Sequence, residues 1–132
     1  MTEHAKPWRS IIVAGVIVWA VPFVLSFLLF TPDGQPRFSE DLFESVMAVS
    51  LAGTTSLMAY RLFRPSASIG VSGLVVGLVW MAISLTFDLL AIVLAFDMPL
   101  PKYIEDIALS YLLIPAITIA VAKTARARRA TA

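Results

Sequence analysis

The side chain best placed to do chemistry in this sequence is Asp88, the one acid inside a long apolar stretch, with Ser84 one helical turn before it. A carboxyl in such a place accepts a proton or a cation when it works, and joins helices by hydrogen bonds when it does not. Both readings stand at this point. Hydroxyls that could serve it come from Ser26 in the first apolar segment and from Tyr111 and Thr118 in the last. No Lys or Arg lies inside an apolar segment, so Asp88 is expected to be either protonated or held by donors such as Ser26, Ser84, Tyr111 or Thr118. Trp19 and Trp80 fall near mid-segment, where they either wall a ligand pocket or fill a small bundle. Pro22 and Pro115 lack an N–H and are expected to kink their helices. The carbonyls of Val18 and Tyr111 would then be free for a side chain or water, unless packing absorbs the kink.

Other chemistry is excluded. The sequence has no Cys, and its one His, His4, stands outside the apolar segments, so thiolate metal sites, disulfides and intramembrane haem or zinc ligation by His are not available. No phosphate-binding loop, nucleophile triad, metal-ligand cluster or dinucleotide fingerprint occurs. No cofactor, metal, nucleic-acid partner or catalytic residue is expected. Glu40, Asp41 and Glu44 lie within about one turn of each other, and Glu105 and Asp106 are adjacent; they read as hydrated helix starts or, for the first three, as a weak cation site.

These residues must be carried by membrane-spanning helices. Of 132 residues, 59% are hydrophobic and the mean hydropathy is +0.87, more than a small water-soluble core can hide. A helix needs about 20 apolar residues to cross the hydrocarbon. The pattern predicts an all-α, four-helix up-and-down membrane bundle in one domain, 1–132, with helices over 10–30, 38–60, 68–96 and 102–123. The first follows Lys6 and Arg9 but has too long an apolar core for a signal peptide, and is read as retained. Lys6, Arg9, Arg61, Arg64, Lys123, Arg126, Arg128 and Arg129 fall on one side of these spans, against Arg37 and Lys102 on the other. Short basic loops translocate poorly, so both termini are expected in the cytoplasm. Trp8, Phe38, Tyr60 and Tyr103 sit where an interfacial aromatic belt would place them.

Two internal patterns add detail. Pro36-Arg37-Phe38-Ser39-Glu40-Asp41-Leu42 is echoed by Pro101-Lys102-Tyr103-Ile104-Glu105-Asp106-Ile107 at an offset of 65, which also pairs Arg61 with Arg126 and Arg64 with Arg129. This suggests parallel hairpin repeats, about 1–65 and 66–132, although any inward-running helix favours acids before it and bases after it. Small or polar residues also recur at intervals of three and four: Gly70, Gly73, Gly77, Met81, Ser84, Asp88, Ala91 and Ala95 on the third helix; Gly15, Trp19, Pro22 and Ser26 on the first; Ala48, Ala52 and Ser56 on the second; Tyr111, Pro115, Thr118 and Ala122 on the fourth. In lipid such faces let helices approach closely and should turn inward.

The runs Gly77-x-x-Trp80-x-x-Ile83-Ser84-x-x-x-Asp88-Leu89, Tyr103-x-x-Asp106-Ile107-x-x-x-Tyr111-Leu112-x-Ile114-Pro115-x-Ile117-Thr118 and Trp19-x-x-Pro22-Phe23-x-x-Ser26-Phe27 resemble an uncharacterised family of small four-span prokaryotic membrane proteins. The resemblance covers most of the chain and implies a bacterial or archaeal cytoplasmic membrane and shared use of Asp88, Tyr111 and Pro115. It implies no activity. Three functions are open: a non-catalytic accessory subunit or scaffold, favoured by small size and short loops; a small oligomeric transporter or channel coupled to protonation of Asp88; and, with the poorest residue set, an intramembrane enzyme. The expected partners are the lipid bilayer and either further copies of the chain or a larger membrane complex.

Overall fold

The computed structural model describes residues 5–67 and 69–132; His4 and Ser68, the expected start of the third helix, lie outside it, as does the side chain of Lys6. The fold is all-α, with helices α1 (Ala5–Leu29), α2 (Glu40–Phe63), α3 (Gly73–Asp88), α4 (Leu100–Asp106) and α5 (Leu113–Thr131). A π-helical segment, Leu89–Ala95, prolongs α3, and a 3₁₀ segment, Ala108–Leu112, precedes α5. Four stretches are long and apolar enough to cross a membrane: Pro7–Leu29, Glu40–Phe63, Gly73–Ala95 and Ala108–Thr131.

Local chemistry sets the boundaries. The Ser39 hydroxyl accepts the Leu42 N–H at the start of α2, and Glu40 and Asp41 follow in the first turn, where their charge suits the helix dipole. Pro65 holds Arg64 extended, at φ −57° and ψ 150°, and α2 stops there. The third helix begins later than expected. Gly70 adopts φ +66°, a left-handed conformation that belongs to a loop, and Ser72 provides the N-cap by accepting the Val75 N–H.

The expected unbroken helix over 102–123 is also corrected. Pro99 and Pro101 suit a helix start and launch α4 early, at Leu100, so Glu105 and Asp106 end that helix instead of opening the fourth span. The chain then breaks at Ile107, with φ −122° and ψ −54°, before re-forming as 3₁₀ and α-helix. Pro115 consequently stands in the first turn of α5, where its missing N–H costs little, and not in the middle of a helix to be kinked. Pro22 does lie inside a continuous helix, α1, and is buried there.

The spans form a ring in which α1 touches α2 and α3, and α5 touches α2 and α3. Consecutive helices α2 and α3 therefore lie across the diagonal, joined by a segment that crosses one end of the bundle. Trp19 meets Asp88 and Trp80 meets Ile11, both 69 residues apart, so α1 and α3 run parallel and in register. Likewise Arg129 reaches Arg64, 65 residues away, between parallel α2 and α5. Corresponding helices of the two hairpins are thus neighbours side by side, whereas a central twofold axis would have set them diagonally opposite.

Inward-facing residues follow helical spacing: Ile11, Ala14, Gly15, Val18 and Pro22 on α1, Leu51, Thr55, Ala59 and Leu62 on α2, Gly73, Val76, Gly77, Trp80, Ser84 and Asp88 on α3, and Ile114, Thr118 and Ala122 on α5. On α2 the expected face of Ala48, Ala52 and Ser56 is rotated away, and Ser56 is exposed. The face that α2 turns inward is instead that of Leu51, Thr55, Ala59 and Leu62. Large apolar side chains such as Leu28, Val49, Leu57 and Leu94 cover the outside, the inverse of a water-soluble protein and the natural surface for lipid.

Candidate functional site

The glycines of α3 decide how near its neighbours come. A Cβ on Gly77 would lie 2.5 Å from the Pro115 Cα, and one on Gly73 would lie 2.7 Å from the Ala122 Cβ, so α5 rests directly on the α3 backbone. On the other side Gly15 admits the Trp80 ring, whose Cδ1 would stand 2.7 Å from a Cβ there. The Trp80 Nε1–H reaches the Ile11 carbonyl at 2.7 Å, and the ring is fully buried. Trp80 fills the bundle and is held by α1.

Just over two turns beyond Trp80 along α3 stands Asp88, 1% exposed. Three donors converge on its carboxyl. Trp19 Nε1–H donates to Oδ1 at 2.7 Å, and the Tyr103 and Tyr111 hydroxyls both donate to Oδ2, Tyr103 at 3.3 Å. The three come from α1, α4 and the 3₁₀ segment, so a single acid on α3 ties three other elements together at its end of the bundle. Trp19 is aimed by its neighbours, stacking on Phe23 at 4.5 Å and against Phe87 at 4.8 Å between ring centres. Tyr103 precedes the fourth span; burial, then the Asp88 charge and hydrogen bond, push its hydroxyl well above the ordinary tyrosine value, so it stays a donor. Such a cage satisfies a carboxyl without any cation.

The other residues singled out in the sequence are placed differently. Ser26 donates to the Phe23 carbonyl at 2.6 Å, and Thr118 to the carbonyls of Ile114 and Pro115, both at 3.1 Å, so neither serves Asp88. A helical hydroxyl finds the carbonyl three or four residues back without leaving its own turn. Ser84 is buried one turn before Asp88, and its Oγ, like the Thr55 Oγ1 on α2, has no partner among the described residues. Every other hydrogen-bonded serine or threonine inside a helix takes the local carbonyl route, as Ser45, Ser56, Thr86 and Thr124 do. Glu40, Asp41, Glu44, Glu105 and Asp106 are all exposed, and no group of three or more acids or histidines among the described residues could hold a metal ion.

Two of the three Asp88 donors lay outside the expected set. Trp19 was legible in principle, because an indole N–H deep in lipid needs an acceptor and the segments offer one lone acid. Tyr103 was not, since its sequence position fits an interfacial belt and only the break at Ile107 turns it inward, to 1% exposure.

Compared with known proteins, the chain matches no protein-family model, no curated protein and no solved structure, so the motif resemblance assigns it to no family.

Proposed function

We propose that this small multi-pass membrane protein is a non-catalytic accessory subunit or scaffold of a prokaryotic cytoplasmic membrane, with both termini inside and with Asp88 as its internal tie. The observation that carries this reading is that all three hydrogen bonds of the buried carboxyl close on Trp19, Tyr103 and Tyr111 of the same chain. An acid engaged in this way stabilises an arrangement of helices, and the exposed acids at one end and bases at the other remain for partners. Among the described residues no nucleophile or general base stands within hydrogen-bond reach of Asp88 apart from the two phenols.

Transport coupled to Asp88 is the second reading, and it is favoured by the unpaired buried hydroxyls of Thr55 and Ser84. Hydroxyls that forgo the local carbonyl suit a polar path through the bundle. The separating experiment is gentle extraction at native expression followed by native mass spectrometry, with wild type and Asp88→Asn side by side. A stoichiometric complex with other proteins, retained by Asp88→Asn, is the expected result. A pure monomer or homo-oligomer whose pH-dependent flux in liposomes disappears in Asp88→Asn overturns the scaffold reading in favour of transport.

A further inference from the structure

The bundle end that carries the basic residues contains a hollow of about 50 Å³ between the end of α2, the segment before α3 and the last turns of α5. Phe63, Gly70, Ala122 and Ala125 line it together with Arg126 and Arg129. By the same measure one water needs about 10–15 Å³, so a tetrahedral oxyanion has room. Arg129 is fixed in place: its Nη2 donates to the carbonyls of Phe63 and Arg64, at 3.3 and 3.2 Å, closing the C-terminus of α2. The rest of that guanidinium is held in a set orientation. Arg126 lies in the preceding turn on the same wall, and among the described residues the acidic side chains, which run from Asp33 to Asp106, do not belong to this end, so none of them meets either arginine.

Depth identifies the occupant. Ala122 is buried against Gly73 and closes the apolar part of the span, and Arg126 stands one turn beyond it. The hollow therefore straddles the border between hydrocarbon and charge, where lipid phosphodiesters lie. Its lining residues are divided in the same way, with Phe63, Ala122 and Ala125 on the side of the bundle and two arginines, whose planar guanidinium forks suit a phosphate, one turn further out. We propose that this hollow binds the phosphodiester of an anionic lipid headgroup, with Arg126 and Arg129 as its ligands.

The test is native mass spectrometry of the full chain in mild detergent with phosphatidylglycerol and phosphatidylcholine offered in equal amounts. Wild type is expected to retain phosphatidylglycerol preferentially. Arg126→Gln should lose about fivefold of that preference, corresponding to about 1 kcal/mol per basic residue at a headgroup surface. Arg128→Gln removes the same charge two residues away without touching the hollow and should change little. Ala125→Phe fills the hollow with every charge kept and should abolish the preference while the protein stays folded, which covers the case in which Arg126→Gln fails to fold. Equal losses in Arg126→Gln and Arg128→Gln, or a wild type indifferent to the headgroup, overturn the site. Displacement of the lipid by millimolar inorganic phosphate overturns the lipid assignment, because a soluble ester would then serve as well.

Discussion

At the scale of single residues, the Asp88 cage gives its two faces different tolerances. The indole of Trp19 can only donate, whereas the phenols of Tyr103 and Tyr111 donate or accept. An asparagine can therefore keep its oxygen toward Trp19 and turn its NH₂ toward the two phenols. Asp88→Asn is expected to cost less than about 1 kcal/mol, while Asp88→Ala strands three donors at about 0.6 kcal/mol each and loses about 2 kcal/mol or more. Denaturation by SDS titration in mixed micelles reads the difference; an Asp88→Ala protein as stable as wild type would remove the acid from any structural role. The lone acid and its Tyr111 partner were visible in the sequence because an uncompensated charge in lipid demands donors. Tyr103 was hidden by geometry. On an unbroken helix it would sit about 12 Å along the axis from Tyr111, and only a break lets both phenols reach one carboxyl.

Among the elements, small residues matter where they touch a neighbour's backbone and are neutral elsewhere. Gly77 faces Pro115 closely, but Gly53 in α2 has nothing within 4 Å of where a Cβ would stand. Gly77→Ala is expected to push α5 off α3 and destabilise by about 1–3 kcal/mol, the usual range for overpacking. Gly53→Ala should gain about 0.5–1 kcal/mol through helix propensity alone. Melting temperatures in detergent that move in the same direction for both would contradict this account of α3–α5 packing. The spans themselves were readable from apolar length. Their ends and neighbours were not, because capping at Ser72, the left-handed turn at Gly70 and the break at Ile107 depend on local backbone geometry that hydropathy does not register.

For the whole molecule, charge is sorted by end: the arginines of α5 meet the end of α2, and the exposed acids of α2 and α4 lie at the other end. In the proposed orientation, which puts the basic end in the cytoplasm, single cysteines introduced into this Cys-free chain should report opposite sides. Gln35→Cys, in the loop before α2, is expected to react with an impermeant maleimide on intact cells, and Ser66→Cys, after α2, only once the membrane is opened. The reverse pattern would invert the topology. The side-by-side placing of the two hairpins could not be inferred from the echo at offset 65, since the same echo fits hairpins facing each other.

The cage around Asp88 also orders the making of the protein. Trp19 leaves the ribosome 69 residues ahead of Asp88, whereas Tyr103 and Tyr111 trail it by 15 and 23. The nascent third span thus enters the bilayer with one donor waiting for its acid, and the phenols arrive only with the last segment. The cage closes only when the fourth span arrives, so a chain arrested before that span carries an under-satisfied acid in the membrane.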